Sequence, residues 1–327
     1  MSSKPYAMGV DVGGTKIAAG LVDREGRILH RFYTKEHSGH PPDVVVESIV
    51  RACNAVLLES KVKREDVAGI GIGFGGHVNG RAGLVLTSSN MPAWDNMPLR
   101  DRVAELVGLP VALENDCNIV ALAEYHHGAG RGCRDMVYIT MSTGLGIGII
   151  IDGKLYAGHT GTAGELGHTV VHADDRTCAC GKRGCLMAYA CGMGLQDMAA
   201  DRIAAGEPTL LREMCEGSVE RICGEMVHEA AQRGDKVAQE LIWTLGHYLG
   251  IGLSTIVQVL NPEVIVVGGG LVRIGSAIME PALEALRENV HPVLWDSAKV
   301  VLSQFWDDAG VIGGAEIAFE NADAGAQ

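Results

Sequence analysis

Residues 8–29 of this chain read MGVDVGGTKIAAGLVDREGRIL, and residues 136–156 read MVYITMSTGLGIGIIIDGKLY. Each segment contains an apolar run, a turn rich in glycine and threonine, a second apolar run, a turn in which glycine follows an acidic residue, and a third run. Short apolar runs bounded by such turns are typical of β-strands. Two copies of one strand–turn–strand plan predict two related α/β domains.

Other apolar patterns extend this plan along the chain. Strands are predicted at residues 69–74, 110–113, 264–267 and 300–305, and helices at residues 43–58, 99–107, 118–126, 239–260, 277–290 and 310–319. No linker rich in proline or serine separates the halves, so we place the domain border in a compact crossover near Ile119. The predicted domains are a small α/β domain, 1–118, onto which the C-terminal helix (about 310–321) packs back, and a large α/β domain, 119–309.

A metal-binding pattern lies in residues 164–187, which read GELGHTVVHADDRTCACGKRGCLM. One imidazole and three thiols fall within 18 residues of it: His168, Cys178, Cys180 and Cys185. Gly181 and Gly184 allow the tight turns that such spacing needs. Buried free thiols are the alternative, but this set favours structural, tetrahedral Zn2+. His172 could replace His168 as the ligand; we favour His168 because Glu165 shares its loop.

The bulk composition excludes several classes of protein. The formal charge of −13 over 327 residues opposes binding to nucleic acid and to anionic membrane surfaces. The first residues contain no apolar signal segment, and no apolar run is long enough to span a membrane. The scattered cysteines outside the metal set favour a reducing compartment. We therefore expect a cytoplasmic protein that binds neither nucleic acid nor membrane.

Three glycine-rich turns that follow apolar strands are candidates for phosphate binding. Glycine lets backbone N–H groups approach phosphate oxygens, and threonine adds a hydroxyl donor. A Gly-Gly pair is more often a plain hairpin turn, but three such turns favour a phosphate ligand. ATP would bring Mg2+, which Asp11 could hold through water, because the net charge of the chain repels an anion. The predicted nucleotide-binding residues are Asp11, Gly13, Gly14, Thr15, Lys16, Thr143, Gly144, Gly268, Gly269 and Gly270.

Two further glycine patterns do not indicate nucleotide sites. Residues 71–76 match G-x-G-x-x-G, but the residues after them do not open a helix, as a dinucleotide-binding fold requires. Residues 148–154 resemble a P-loop, but Leu155 stands where a Mg2+ ligand is needed, and Asp152-Gly153 indicates a hairpin.

The pair Asn115-Asp116 stands where a predicted strand ends and a helix begins. Ligands of α/β folds bind at such strand ends, although an aspartate there serves equally well as a helix N-cap. Together with the phosphate turns and with Glu165 beside a metal ligand, the pair indicates phosphoryl transfer to a hydroxyl group. In that chemistry one carboxylate accepts the hydroxyl proton.

Five motifs, in order along the chain, resemble the ROK family of sugar kinases and repressors. They are DVGGTK (11–16), ENDCN (114–118), STGLGIG (142–148), GELGH (164–168) and CACGKRGC (178–185). The resemblance implies a two-domain actin/hexokinase-like (ribonuclease H-like) fold with ATP in the cleft between the domains, a zinc-binding loop over 168–185, and a homodimer or homotetramer. Family repressors carry an N-terminal helix-turn-helix; here a strand pattern starts by Tyr6, which favours the kinase branch.

The resemblance also implies roles for individual residues. Asp116 matches the base that activates the sugar 6-hydroxyl, and His168 matches a residue that contacts the sugar while its second nitrogen binds zinc. The implied sugar contacts are Gly76, Asn90, Asn115, Asp116, Glu165, His168 and Met187.

Three positions depart from the family pattern. Gly75-Gly76 replaces Pro-Gly, and Cys191 replaces a serine. Met187 replaces a glutamate that contacts the C1/C2 side of the sugar. A thioether is a weak acceptor, and losing a charged acceptor costs on the order of 1.5–3 kcal/mol. Affinity for a glucose-like ligand should therefore fall roughly ten- to hundred-fold.

The sequence thus predicts a glucokinase-like enzyme that uses ATP and Mg2+ to form a sugar 6-phosphate and contains structural zinc. Two alternatives stay open. One is a kinase for a sugar modified at C1 or C2, such as an N-acetyl amino sugar, with Met187 against an apolar group. The other is a non-catalytic sugar sensor, which would not need Asp116 and the phosphate turns.

Overall fold

The protein is described by a computed structural model that covers residues 4–35, 39–88, 91 and 93–325. The chain forms two compact units. The first comprises Met1–Tyr138, Gly148–Gly164 and Ser303–Gln327, and the second comprises Ile139–Ile147 and Glu165–Leu302. Within the described ranges, every helix is too short or too polar to traverse a lipid bilayer.

Strands and helices alternate along the chain, which confirms the predicted α/β class. The strands are β1 (Tyr6–Val12), β2 (Ile17–Asp23), β3 (Ile28–Thr34), β4 (Val67–Phe74), β5 (His77–Asn79), β6 (Leu84–Thr87), β7 (Asp95–Met97), β8 (Val111–Asn115), β9 (Met136–Met141), β10 (Leu145–Ile151), β11 (Lys154–Leu155), β12 (Val264–Gly268) and β13 (Lys299–Leu302). The α-helices are α1 (Pro42–Ser60), α2 (Leu99–Val107), α3 (Asp116–His126), α4 (Gly192–Ala204), α5 (Leu211–Met214), α6 (Gly224–Gln232), α7 (Lys236–Leu260), α8 (Ser276–Asn289) and α9 (Ala309–Ala324).

The first unit contains a five-stranded sheet with the order β3-β2-β1-β4-β8. β1, β2 and β3 pair antiparallel, as the opening segment predicts, whereas β4 and β8 extend the sheet parallel to β1. In this register Asp11 lies opposite Gly73, and Phe74 lies opposite Asn115. The carboxyl ends of β1, β4 and β8 therefore meet at one edge of the sheet, where α/β folds bind ligands.

Helices cover both faces of this sheet. α1 and α2 pack on the face that carries Met8 and Val10, and α9 packs on the face that carries Gly9. A Cβ atom on Gly9 would lie 1.7 Å from the carbonyl oxygen of Val311 in α9. Only glycine avoids this clash, so β1 accepts the C-terminal helix directly on its backbone.

The first unit extends beyond the predicted border near Ile119. α3 packs against α9 so closely that a Cβ atom on Gly313 would lie 1.7 Å from the carbonyl oxygen of Ile119. This packing keeps α3 in the first unit, which continues to Tyr138 instead of ending at residue 118.

A small sheet with the order β5-β6-β7 was missing from the predicted elements. Its strands are three or four residues long, which is too short to show a clear alternation of apolar and polar residues. Val78 and Val85 are buried, and the ring of Trp94 packs on that of Phe74 with centroids 4.4 Å apart. These contacts hold the small sheet against the ends of β4 and β8.

A second five-stranded sheet has the order β11-β10-β9-β12-β13, and the border between the units runs through β9 and β10. In the second unit β12 and β13 pair in parallel, and the long helix α7 lies against α8. α7 begins at Lys236, three residues before its predicted start, because the Asp235 side chain caps it by accepting from the Ala238 N–H at 3.1 Å.

The two glycine patterns that do not indicate nucleotide sites, residues 71–76 and 148–154, have the predicted local structure. Residues 71–76 lead from β4 into β5 instead of a helix. Asp152 and Gly153, with φ of 53° and 73°, form the hairpin turn between β10 and β11.

Candidate functional site

Asn115 lies at the junction of β8 and α3, where it caps the helix. Its Oδ1 accepts from the N–H groups of Cys117 at 2.8 Å and Asn118 at 3.3 Å, and its Nδ2 donates to the carbonyl oxygen of Gly76 at 3.0 Å. The sequence left open whether Asp116 serves as the cap; the cap is Asn115, and Asp116 is the first helical residue. Asn115 thereby fixes Gly76 beside the start of α3.

Asp116 presents a desolvated carboxyl group at the helix start. Burial raises its pKa above the ordinary aspartate value, although hydrogen bonds from Cys117 and Asn115 oppose the shift. Its Oδ1 accepts from the Cys117 N–H at 2.9 Å, and its Oδ2 lies 3.5 Å from where a Cβ atom on Gly75 would stand. The carboxylate therefore faces the loop after β4, which has no side chain at that position.

Two residues that the sequence did not single out hold this junction. Glu114 is buried, and its Oε1 accepts from the Asn115 N–H at 2.8 Å and the Asn118 Nδ2 at 2.9 Å. The signal was present, because both residues belong to the ENDCN motif, in which Glu114 precedes and Asn118 follows the junction of strand and helix. This bridge aligns the end of β8 with the first turn of α3.

Asp11, at the carboxyl end of β1, is coupled to Asp116. Burial and the charge of Asp116 raise the pKa of Asp11 to about 6, with Lys16 acting in the opposite direction. Gly310 lies over this group, since a Cβ atom there would stand 2.8 Å from the Asp11 Oδ2. The first unit thus brings together two acids that resist simultaneous ionisation unless a cation joins them.

The remaining predicted residues of the first unit lie in loops at the same sheet edge. The turn over residues 13–16 joins β1 to β2, and the Gly13 N–H donates to the Lys16 carbonyl oxygen at 3.0 Å. Gly76 packs on β6, where a Cβ atom would lie 2.6 Å from the Thr87 carbonyl oxygen. Asn90 lies outside the described residues.

In the second unit, two predicted phosphate turns meet. Thr143 and Gly144 lie in the turn between β9 and β10, which the Ser142 N–H closes by donating to the Gly144 carbonyl oxygen at 3.0 Å. Gly269 has a φ of 92°, and a Cβ atom on it would lie 2.3 Å from the Met141 carbonyl oxygen. Residues 268–270 therefore reach the backbone directly before this turn, as only glycine permits.

The segment with Glu165 and His168 lies beside the same turn. A Cβ atom on Gly167 would stand 2.6 Å from the carbonyl oxygen of Leu145, the residue that follows Gly144. The Nε2 of His168 is 3.9 Å from Glu165 Oε2, beyond hydrogen-bond distance. The two side chains thus lie close together beside this turn.

The other nitrogen of His168 faces the cysteine cluster. One donor atom from each of the four predicted ligands, His168, Cys178, Cys180 and Cys185, lies within 4.8 Å of the others. Cys178 Sγ is 3.7 Å from His168 Nδ1, and Cys180 Sγ is 3.8 Å from Cys185 Sγ. Zn–S bonds of about 2.3 Å in a tetrahedron place the sulfur atoms about 3.8 Å apart. The donor set and its spacing fit Zn2+.

Backbone contacts shape the loop around this cluster. Gly181 and Gly184 have φ of 81° and 73°, and a Cβ atom on Gly184 would lie 1.9 Å from the His172 carbonyl oxygen. The His172 ring pairs instead with Asp175, with 2.9 Å between Nδ1 and Oδ2, and is not among the clustered donors. The alternative ligand His172 is therefore outside the four-residue set.

Met187 and Cys191 follow the last thiol of the cluster. A Cβ atom on Gly144 would lie 3.7 Å from the Met187 sulfur, an ordinary van der Waals distance. Cys191 Sγ donates to the Met187 carbonyl oxygen at 3.0 Å, and burial raises the pKa of this thiol to about 11, so the donor keeps its proton at neutral pH. Met187 therefore lies at the turn between β9 and β10.

Comparison with known proteins identifies relatives along nearly the whole chain. A model of the ROK family matches residues 7–321. The glucokinase of Streptomyces coelicolor is 37% identical over 320 residues, which cover 96% of this chain and 97% of that protein. The crystal structure of a ROK family glucokinase from Streptomyces griseus, in complex with glucose and AMPPNP, has a TM-score of 0.82 at 37% identity and covers 96% of this chain and 99% of its own. The ROK hexokinase of Thermus thermophilus has a TM-score of 0.79 at 30% identity, covering 98% of this chain and 99% of its own.

Proposed function

The chain belongs to the ROK family, as its motifs indicate, and we propose that it is a sugar kinase that uses ATP to phosphorylate a hexose at the 6-hydroxyl group. The observation that carries this proposal is the pair of coupled acids, Asp11 and Asp116, at the carboxyl edge of the first sheet. The likeness to glucokinases over nearly the full length supports the same chemistry.

Asp116 is the proposed general base. A base works best when its pKa lies near the working pH, and burial moves the pKa of Asp116 in that direction. Its carboxylate would take the proton of the attacking 6-hydroxyl as the γ-phosphoryl group of ATP is transferred. The product is ADP and a sugar 6-phosphate.

Asp11 and the glycine turns are the proposed partners of Mg-ATP. The ionised Asp11 carboxylate would hold Mg2+ through water, and a bound cation would favour that ionised form. Further proposed nucleotide contacts are Gly13, Gly14, Thr15, Lys16, Thr143, Gly144, Gly268, Gly269 and Gly270. Phosphoryl transfer needs mainly such positioning and charge neutralisation.

The proposed sugar contacts are Gly76, Asn90, Asn115, Asp116, Glu165, His168 and Met187. Zinc held by His168 Nδ1 and the three thiols would supply a structural cross-link, which leaves His168 Nε2 for a sugar hydroxyl. The cleft of an actin/hexokinase-like fold, a cytoplasmic location and a homodimer or homotetramer also stay predictions.

Turnover of ATP against a panel of hexoses and N-acetyl hexosamines tests the proposed function. We expect ADP release with at least one sugar, and none with the 6-deoxy form of that sugar, which lacks the acceptor hydroxyl. Sugar binding without turnover on any member of the panel would favour the sensor instead.

Met187→Glu should raise kcat/KM for glucose by roughly ten- to hundred-fold, because it restores a charged acceptor worth on the order of 1.5–3 kcal/mol. Met187→Gln is the matched control, since it has the same length without the charge, and we expect a smaller gain. A large gain indicates a natural substrate modified at C1 or C2. If glucose turnover falls in both variants, Met187 does not contact that side of the sugar.

Protein purified without chelator should contain about one zinc ion per chain, and Cys185→Ser should lose it and show a lower Tm, because metal binding contributes directly to folding. Cys223→Ser is the control, since Cys223 is exposed and outside the cluster. Sub-stoichiometric zinc, with all nine cysteines titratable in the folded protein, would contradict the site.

A further inference from the structure

A short segment joins the last predicted zinc ligand to the phosphate turn after β9. Two residues after Cys185 comes Met187, and α4 begins at Gly192. The Gly192 N–H donates to the Ser142 carbonyl oxygen at 2.7 Å, and the Met193 N–H donates to the Thr143 carbonyl oxygen at 3.1 Å. The first N–H groups of a helix have no partner within it, and here the phosphate turn supplies two acceptors.

The approach of α4 to this turn depends on glycine. A Cβ atom on Gly192 would lie 2.9 Å from the Ser142 carbonyl oxygen and 3.4 Å from the Thr143 Cα. The first distance is closer than carbon and oxygen tolerate, so an alanine would push the turn and the helix apart. The contact with Met187 at Gly144 adds a second point of support.

The same segment is tied back to the metal loop. The Tyr189 hydroxyl donates to Asp175 Oδ2 at 2.5 Å, and the Leu186 N–H donates to the Thr169 carbonyl oxygen at 2.9 Å. Thr169 follows His168 directly. The thiol of Cys191 closes the segment on itself through the Met187 carbonyl oxygen. Disorder in the metal loop would therefore disturb the turn at Thr143 and Gly144, because only a few residues connect the two.

We propose that residues 185–193 couple the metal centre to the nucleotide site, with Cys191 and Gly192 as positioning residues for the turn at Thr143 and Gly144. The inference rests on the proposed function only in taking this turn as a nucleotide contact. Coupling between two binding sites is reciprocal. Bound nucleotide must then raise the affinity for zinc, and loss of zinc must weaken nucleotide binding.

Zinc release from the holoenzyme to a chromophoric chelator tests this coupling without any turnover. At equilibrium with the competing chelator, we expect Mg-AMPPNP, added without sugar, to raise the zinc affinity of the protein by about five-fold or more. Gly192→Ala should abolish that protection at nucleotide concentrations that saturate the variant. Alanine favours helix over glycine, so a weaker helix cannot explain the loss. Asp197→Ala, at an exposed position of α4, is the control and should retain full protection.

Cys191 offers an independent test through rescue. Cys191→Ala removes the donor to Met187 and should raise KM for ATP several-fold while KM for the sugar stays unchanged. Cys191→Ser retains a donor and should restore KM for ATP. A residue with a purely structural role would change KM for ATP and KM for the sugar together.

Equal zinc release with and without bound nucleotide would overturn the coupling. That outcome is distinct from failure of the proposed function. If nucleotide protects the zinc but the protein phosphorylates no hexose, the coupling stands and the kinase assignment is wrong. If the protein phosphorylates a hexose but nucleotide does not change its hold on zinc, the kinase assignment stands and the coupling is wrong.

Discussion

Asp116→Asn should lower kcat by about 10²–10⁴-fold, the range that general-base catalysis contributes. Asparagine has the same shape, and its Oδ1 can still accept from the Cys117 N–H, so α3 should start as before. The variant should bind sugar and Mg-ATP normally, because only proton acceptance is removed. Turnover and equilibrium binding, measured on the same preparation, separate the two effects.

The pH profile adds a second readout for Asp116. The base must be ionised, so kcat/KM should rise with pH through its pKa, which burial places above the ordinary aspartate value. This acidic limb should disappear in the variant. Asp235→Asn is the control, because Asp235 also accepts backbone N–H groups at a helix start but lies in the second unit. Near-normal turnover of Asp116→Asn with its best sugar would show that another group is the base.

Asp11→Asn should make the ligand-free protein more stable at pH 7.5 while it loses activity. The pKa of Asp11 is about 6 in the folded protein against an ordinary value of 3.8. An acid whose folded-state pKa is raised binds its proton more tightly when folded, so stability falls as the pH rises from about 3.8 to about 6 and stays lower above that. At 1.36 kcal/mol per pKa unit, the variant should gain up to about 3 kcal/mol.

The gain should depend on pH with a definite sign. It should be complete above about pH 6 and vanish as the pH falls below 3.8, where both folded and unfolded wild type become protonated. Calorimetric Tm values of the variant and wild type across this window measure it. Activity should fall at least about ten-fold, because a charged partner of Mg2+ is lost.

Asp23→Asn is the matched control for this prediction. Asp23 is also buried, but its carboxylate accepts from Arg27 Nε at 2.7 Å and from the Glu25 N–H at 3.1 Å. Removing that charge weakens the acceptor of these hydrogen bonds, so the Tm should fall at neutral pH. If Asp11→Asn is also destabilising throughout the pH window, burial and the charge of Asp116 do not raise the pKa of Asp11 in the folded protein.

The sequence predicted the local features of this protein well. The ligand set from His168 to Cys185 spans 18 residues, so its chemistry and spacing are visible in one segment. The hairpin turns at Gly13 and Asp152 are also local, because two or three residues determine their backbone angles. The ROK family, the α/β class and the sugar kinase activity were recognised from such motifs.

The sequence did not predict interactions between residues that lie far apart in the chain. The coupling of Asp11 to Asp116 depends on the parallel register of β1, β4 and β8, which joins positions more than 100 residues apart. The position of the border between the units depends on the packing of α3 against α9, which begins at Ala309. No pattern within either helix specifies its partner.

Residue chemistry in short motifs thus determined the proposed ligands of this protein, since metal-ligand spacing, turns and caps are set by neighbours in the chain. The tertiary structure alone decided how those motifs support one another. It places Met187, first recognised as a departure from the family pattern, against Gly144, and it joins the start of α4 to Ser142. Such contacts need backbones to approach within van der Waals distance, and that approach depends on the packing of the whole unit.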